Sequence, residues 1–244
     1  MKLWLSALAL FTRARLFRLL GLLAALCALN ACAGALLLAA DGGCWNAQTE
    51  RACAVLFLLA YLGCFLICTL PQERGGQCGL TLQRLRLSER RLFLINALVN
   101  AACFFLLWAA EAASVFALAA HTAAASGYPE GAQGLLVSFS RSDFLHTLLP
   151  LSETALWLRN VLFVFAAGFL CAHASLALRN RKSPVLPQLF CGVLVPLFPA
   201  ELGSGATIVK SALALILCVG AAGCALAAAH PGERRLEENE ADSV

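Results

Sequence analysis

The sequence predicts an all-α polytopic membrane protein with six transmembrane helices, an N-terminal interfacial helix, and a cytoplasmic amphipathic arm between spans two and three. Two observations lead there. Of 244 residues, 61% are hydrophobic and only 13% are charged, whereas a soluble globular chain keeps its apolar share nearer ~45–50%. The apolar residues are also gathered into runs long enough to cross a bilayer, which takes roughly 20 residues of helix. The formal net charge of +4 is less informative than the placement of Lys and Arg along the chain.

Residues 1–18 mix leucines, Trp4 and Phe11 with Lys2, Arg13, Arg15 and Arg18. A signal peptide carries its positive charge ahead of the apolar stretch, whereas most of it follows here. An interfacial helix leading into the first span is expected instead. The LNAC sequence at 29–32 resembles a lipoprotein cleavage box, but polar Asn30 and the upstream arginines argue against one.

The first span is expected over about 19–40, closed by the polar loop 41–51. The second covers about 53–70 and stops at Pro71, which cannot continue a helix. The third apolar run, about 92–120, contains no Gly or Pro and exceeds one bilayer crossing. A polar segment over 121–153 follows, with short interfacial pieces at GLLVSF and DFLHTLLPL. The fourth span covers 154–178 and ends in the basic turn 179–182. Pro184, Pro187, Pro196 and Pro199 make the fifth, 184–200, short and bent, its freed carbonyls satisfied by neighbouring helices. A sixth, 208–229, precedes an acidic tail expected to be solvated. The chain thus divides into an interfacial helix at 1–18, a transmembrane domain at 19–229 and a cytoplasmic tail at 230–244.

Charge sets the expected orientation. The N-terminal segment, the arm, the 179–182 turn and the tail hold fourteen of the eighteen Lys and Arg residues; only Arg51, Arg141, Arg159 and Lys210 lie on the other side. The positive-inside rule then places both termini and the arm in the cytoplasm, in a plasma (inner) membrane.

The twelve cysteines fall mostly inside apolar runs, where Cys is a small hydrophobe. Cys44 and Cys53 flank a short polar loop, and a disulfide between them is left open. Cys64 and Cys68, one helical turn apart, have the spacing for a soft metal, but with no second such pair in the sequence plain packing is the expectation. The four histidines are scattered, and no metal site is predicted.

The stretch at 70–120 organises the chain. It crosses a polar arm with Arg74, Arg84, Arg86, Arg90 and Arg91 and then enters the longest apolar run. On a helical wheel Cys78, Leu82 and Leu85 form one stripe, with Gln83, Arg84, Arg86 and Arg90 off it. Leu80 and Leu87 break the pattern and Glu89 would fall on the stripe, so a turn near Ser88 is expected. Ser88 then caps the third span, leaving Glu89 in its first turn, where a negative charge suits the helix dipole.

Two ionisable residues lie inside apolar runs, where a charge is a functional candidate. Glu111 is expected roughly 28 Å along the third span from Leu92, near the outer boundary. Arg159 enters the fourth span from that same side. An ion pair between them and separate snorkelling to the interface are both open. Asn96, Asn100 and Glu111 share a helix face within about 60°, which suits a dimer seam, a translocation path, or simple hydrogen bonding between helices. GxxxxGK[ST], HExxH and GxSxG are all absent. The Ser, Asp and His residues at 138–147 carry no geometry for a nucleophile and base. A non-enzymatic subunit is expected.

At the arm, Glu73, Arg74, Gly75, Leu82, Leu85 and Ser88 stand in an order that resembles the transmembrane subunits of ABC-type exporters of the type 2 class. These carry an acidic and basic pair, a Gly, spaced leucines and a Ser-containing turn after the second span. The N-terminal amphipathic helix, six spans and the GVLVPLFP stretch at 192–199 are similar too. The resemblance implies a dimeric pore, formed with a second permease copy or a sister permease and exporting a hydrophobic or amphipathic substrate. It implies a separate ABC ATPase subunit that holds ATP and Mg and is touched by the arm over 73–91, with no cofactor bound by this chain. Membrane lipid is the other expected partner, and nucleic acid is not one. A non-transporting assembly subunit and an ion-coupled transporter using Glu111 are the alternatives.

Overall fold

The computed structural model describes residues 2–40, 47–69, 89–125, 142–150 and 154–179, with Ala212, Ile216, Gly220 and Gly223 on further helical turns. The expected arm at 70–88, the fifth and sixth spans and the acidic tail lie outside these residues, apart from those four positions. All the described elements are helices: α1 (Lys2–Ala40), α2 (Ala47–Thr69), α3 (Glu89–Ala125), α4 (Asp143–Leu148) and α5 (Thr154–Arg179). Four of them hold stretches long and apolar enough to cross a bilayer: Arg15–Leu37, Ala47–Thr69, Arg90–Thr122 and Thr154–Leu178. These match the first four expected spans closely.

No break separates an interfacial helix at 1–18 from the first span, because α1 runs unbroken for 39 residues. Its first nineteen residues contain no Gly or Pro and are rich in Leu, Ala and Arg, all strong helix formers. Ala7, Phe11, Arg15, Leu19, Leu26 and Asn30 are buried and recur at helical spacing, so one stripe of α1 packs inward along most of its length.

The bundle is built around α3, which packs on α1, α2, α4 and α5, most extensively on α5. α1 also packs on α2, and α2 touches α5. The α3–α5 pair is antiparallel: Phe93 stacks on Phe169 at 5.9 Å, whereas Trp108, further along α3, meets the earlier Trp157 at 5.4 Å. Small residues set this spacing. A methyl group added at Gly168 would lie 2.7 Å from the Ala101 backbone nitrogen and 2.8 Å from the Ala97 carbonyl oxygen. Ala97 and Ala101 on α3 thus face Gly168 on α5 in a close backbone approach, the usual contact where neither helix gains from the hydrophobic effect in lipid.

The outer faces are apolar. Phe17 is 79% exposed and Leu36 73%, exposures that suit contact with acyl chains and would be a liability in water. Between α2 and α3 the interior is aromatic, with Tyr61 and Phe104 at 4.8 Å and Phe57 edge-on to Tyr61. α4 is short but well ended: the Ser142 side chain accepts from the Leu145 amide at 3.1 Å, and the Leu149 amide donates to the Leu145 carbonyl at 2.8 Å.

Gly168→Ala is expected to lower the resistance of the purified protein to detergent unfolding by about 1–3 kcal/mol, since the two backbones must separate to admit the methyl group. Gly21→Ala, with nothing within 4 Å of the added carbon, is expected to be neutral or slightly stabilising. A denaturing-detergent titration followed by circular dichroism measures both.

Candidate polar site inside the bundle

Within the apolar interior, buried polar side chains gather at three levels, the first two joining α1 to α3 and the third holding α4 to α3 and α5. At the first, Arg15 of α1 donates through Nη2 to Asn96 Oδ1 of α3 at 2.6 Å and to the Cys68 carbonyl of α2 at 3.5 Å. Its guanidinium also lies 5.5 Å from the Phe11 ring centroid. At the second, Asn30 Nδ2 of α1 donates to Glu111 Oε2 at 2.6 Å and to Ser114 Oγ at 2.9 Å, both on α3. Ser114 in turn donates to the Glu111 carbonyl at 3.0 Å.

These two levels share a register. Arg15 and Asn30 are 15 residues apart on α1, as are their partners Asn96 and Glu111 on α3. At 1.5 Å per residue the clamps are about 22 Å apart, most of the thickness of a bilayer core. α1 and α3 therefore run parallel, as they must with one antiparallel span between them.

The third level lies against α4. Trp108 Nε1 donates to the Leu148 carbonyl at 3.0 Å, and Asn160 Nδ2 donates to the Thr147 carbonyl at 2.8 Å. Arg159 donates through Nε and Nη2 to Asn160 Oδ1, at 3.1 and 2.8 Å. The end of α4 is thereby held to both α3 and α5. Phe144, Leu145 and Leu148 are buried, so this segment of the expected interfacial piece is tucked into the bundle.

Of the site residues expected from sequence, Asn96, Asn100, Glu111 and Arg159 are described, and all four are buried within the chain. The face shared by Asn96, Asn100 and Glu111 is divided between two neighbours. Asn96 and Glu111 meet α1, while Asn100 donates to the Gly168 carbonyl of α5 at 3.4 Å. Glu111 and Arg159 form no ion pair, and neither snorkels, each being 0% exposed. The reason is axial. From the Trp108–Trp157 contact, Glu111 lies three residues onward on α3 and Arg159 two residues onward on the antiparallel α5. They are displaced in opposite directions, by about 7–8 Å in total. Glu73, Arg74, Gly75, Leu82, Leu85 and Ser88 lie outside the described residues, although α3 does begin at Glu89.

Several buried atoms have no partner among the described residues, including Arg15 Nε and Nη1, Asn30 Oδ1, Asn100 Oδ1, Glu111 Oε1 and Arg159 Nη1. Among the described residues the interior is thus only partly satisfied, which an apolar surrounding makes costly. Sequence reading passed over Arg15 and Asn30 as functional residues. Their signal was present in the inward stripe of α1, which a span bounded at residue 19 cuts through. Cys53 is a free, buried thiol. Among the described residues no three His, Cys, Asp or Glu side chains form a ready metal-ligand group. The chain matches no family model, and no curated protein or solved structure is similar to it.

A double-mutant cycle of Asn30→Ala and Glu111→Ala, read by detergent unfolding, is expected to show a coupling of about 0.6–2 kcal/mol between the two side chains. Strict additivity would mean that the Asn30–Glu111 bond does not bind α1 to α3.

Proposed function

We propose that the chain is the permease subunit of an ATP-driven exporter for a hydrophobic or amphipathic substrate, paired with a second copy or a sister permease and driven by a separate ABC ATPase. The observation that carries this reading is the position of α3. The arm with Glu73, Arg74, Gly75, Leu82, Leu85 and Ser88 runs directly into α3, and α3 is the helix on which α1, α2, α4 and α5 all pack. A displacement applied at the arm therefore reaches the whole bundle through one rigid rod. The polar interior supports the same reading, because buried groups with spare bonding capacity are suited to exchanging partners as helices shift. With both termini and the arm in the cytoplasm, as the basic residues suggest, the arm is on the side where ATP is available.

A second reading rests on Glu111. A fully buried carboxyl with Oε2 bonded to Asn30 and Oε1 unpartnered among the described residues is placed to take up a proton or bind a small cation, as in an ion-coupled transporter.

Solubilised in mild detergent, the protein is expected to co-purify with an ATPase subunit, and Arg84→Glu is expected to weaken that association while leaving the bundle folded. Recovery of the chain alone, or an association indifferent to the substitution, overturns the permease reading. Glu111→Gln, which retains an oxygen for Asn30, is expected to preserve ATP-driven transport in proteoliposomes. Transport that follows an imposed proton gradient and vanishes in Glu111→Gln would establish the second reading instead.

A further inference from the structure

The Asn30–Glu111 contact holds a surplus of acceptors. Asn30 Nδ2 spends its hydrogens on Glu111 Oε2 at 2.6 Å and Ser114 Oγ at 2.9 Å, and the Ser114 hydroxyl hydrogen goes to the Glu111 carbonyl. Two oxygens of the joined pair, Asn30 Oδ1 and Glu111 Oε1, are buried with no partner among the described residues. An amide oxygen and an ionised carboxylate oxygen only accept, so neither can satisfy the other. Turning the amide over would set Oδ1 against Oε2, again with no hydrogen between two oxygens. Either way the contact is one hydrogen short.

The charges around it point the same way. Glu111 is 0% exposed and Asn30 1%, and no cation among the described residues bonds the carboxyl. On α5, Arg159 bonds Asn160 and is offset from Glu111 by about 7–8 Å. Within α1 the nearest charge, Arg18, is about 18 Å along the helix from Asn30. The Tyr61–Phe104 contact sets the level of α2. By that register the Cys53 thiol stands level with Glu111, while partly buried Glu50 lies about 6 Å further out, beside exposed Arg51. α4 carries His146, two residues before the carbonyl that bonds Trp108. On α3 itself, Arg91 and His121 are about 30 and 15 Å away. An ionised Glu111 would be an isolated charge in apolar surroundings, a state such a group avoids by taking up a proton.

We propose that Glu111 is held as the neutral acid, its proton carried on Oε1 and donated to Asn30 Oδ1, so that a bound proton fastens α1 to α3. The carboxyl and the amide then close a ring, with Nδ2–H to Oε2 on one arm and Oε1–H to Oδ1 on the other. One proton satisfies both idle oxygens and removes the charge. The step is a protonation alone, with no other covalent bond made or broken. Loss of the proton breaks one arm and leaves a carboxylate in the apolar interior, so the clamp holds at low pH and loosens as pH rises. The inference narrows the second reading of Glu111 to a proton, and it stands without transport of any kind.

The test uses the full chain in an ester-free detergent, whose infrared spectrum leaves the carbonyl stretch of a protonated carboxyl in view. At neutral pH the wild-type spectrum is expected to hold such a band that is lost in Glu111→Gln and moved to higher frequency in Asn30→Leu, where the carbonyl loses its donor. A wild-type minus Glu111→Gln difference made of carboxylate bands instead overturns the proposal, as does a band that Asn30→Leu leaves in place. The second measurement is detergent unfolding followed by circular dichroism across pH. The Gln amide offers the same hydrogen as the acid, so Glu111→Gln is expected to match the wild type at neutral pH and to lack the wild type's loss of resistance at alkaline pH. Equal alkaline sensitivity in the two proteins overturns the proposal, a criterion that holds even where Asn30→Leu fails to fold. Neither measurement involves an ATPase, a cargo or a gradient, so its failure is separate from that of either functional reading.

Discussion

Inside an apolar bundle surrounded by lipid, a polar side chain has to find its partner within the protein, and this requirement fixes how α1 sits on α3. Arg15 reaches Asn96 and Asn30 reaches Glu111, two contacts about 22 Å apart along parallel helices. With both formed, α1 can neither slide nor rotate on α3 without stranding a buried polar group. In a bilayer the apolar faces supply little preference of their own, since a leucine is as well accommodated by acyl chains as by another leucine. Register therefore falls to the few polar residues.

The α3–α5 contact uses a different means to the same end. Gly168 lets the two backbones approach at Ala97 and Ala101, and Asn100 bonds the Gly168 carbonyl at the same place. Close approach increases dispersion contact, and the hydrogen bond adds direction. On the far side of this contact, α4 is secured by Trp108 and Asn160 through two backbone carbonyls at its end. These anchors join α3 to α1, α4 and α5.

Much of the architecture was legible in the chain. The runs of apolar residues located four bilayer-length helices to within a few residues. Glu89 stands in the first turn of α3 as expected, and α3 extends a few residues beyond each end of the apolar run at 92–120. At the N-terminus, Arg15 of the basic cluster points inward to Asn96 and is one position in a continuous buried stripe of α1. The polar site was half legible. Asn96, Asn100, Glu111 and Arg159 stood out as polar residues in apolar runs, but the ion pair left open between Glu111 and Arg159 is not formed, and both are buried.

By itself the sequence determined that these segments are helices, where most of them begin and end, and that their surfaces are too apolar for water. All of these follow from composition and from a 3.6-residue period that is written along one segment at a time. Tertiary structure decided which groups meet: Asn30 with Glu111, Arg15 with Asn96, and Asn100 with the Gly168 carbonyl. Those meetings depend on the rotation and axial offset of one helix against another. Such quantities are set by the small residues and polar contacts of both partners together, and no single segment of the chain encodes them.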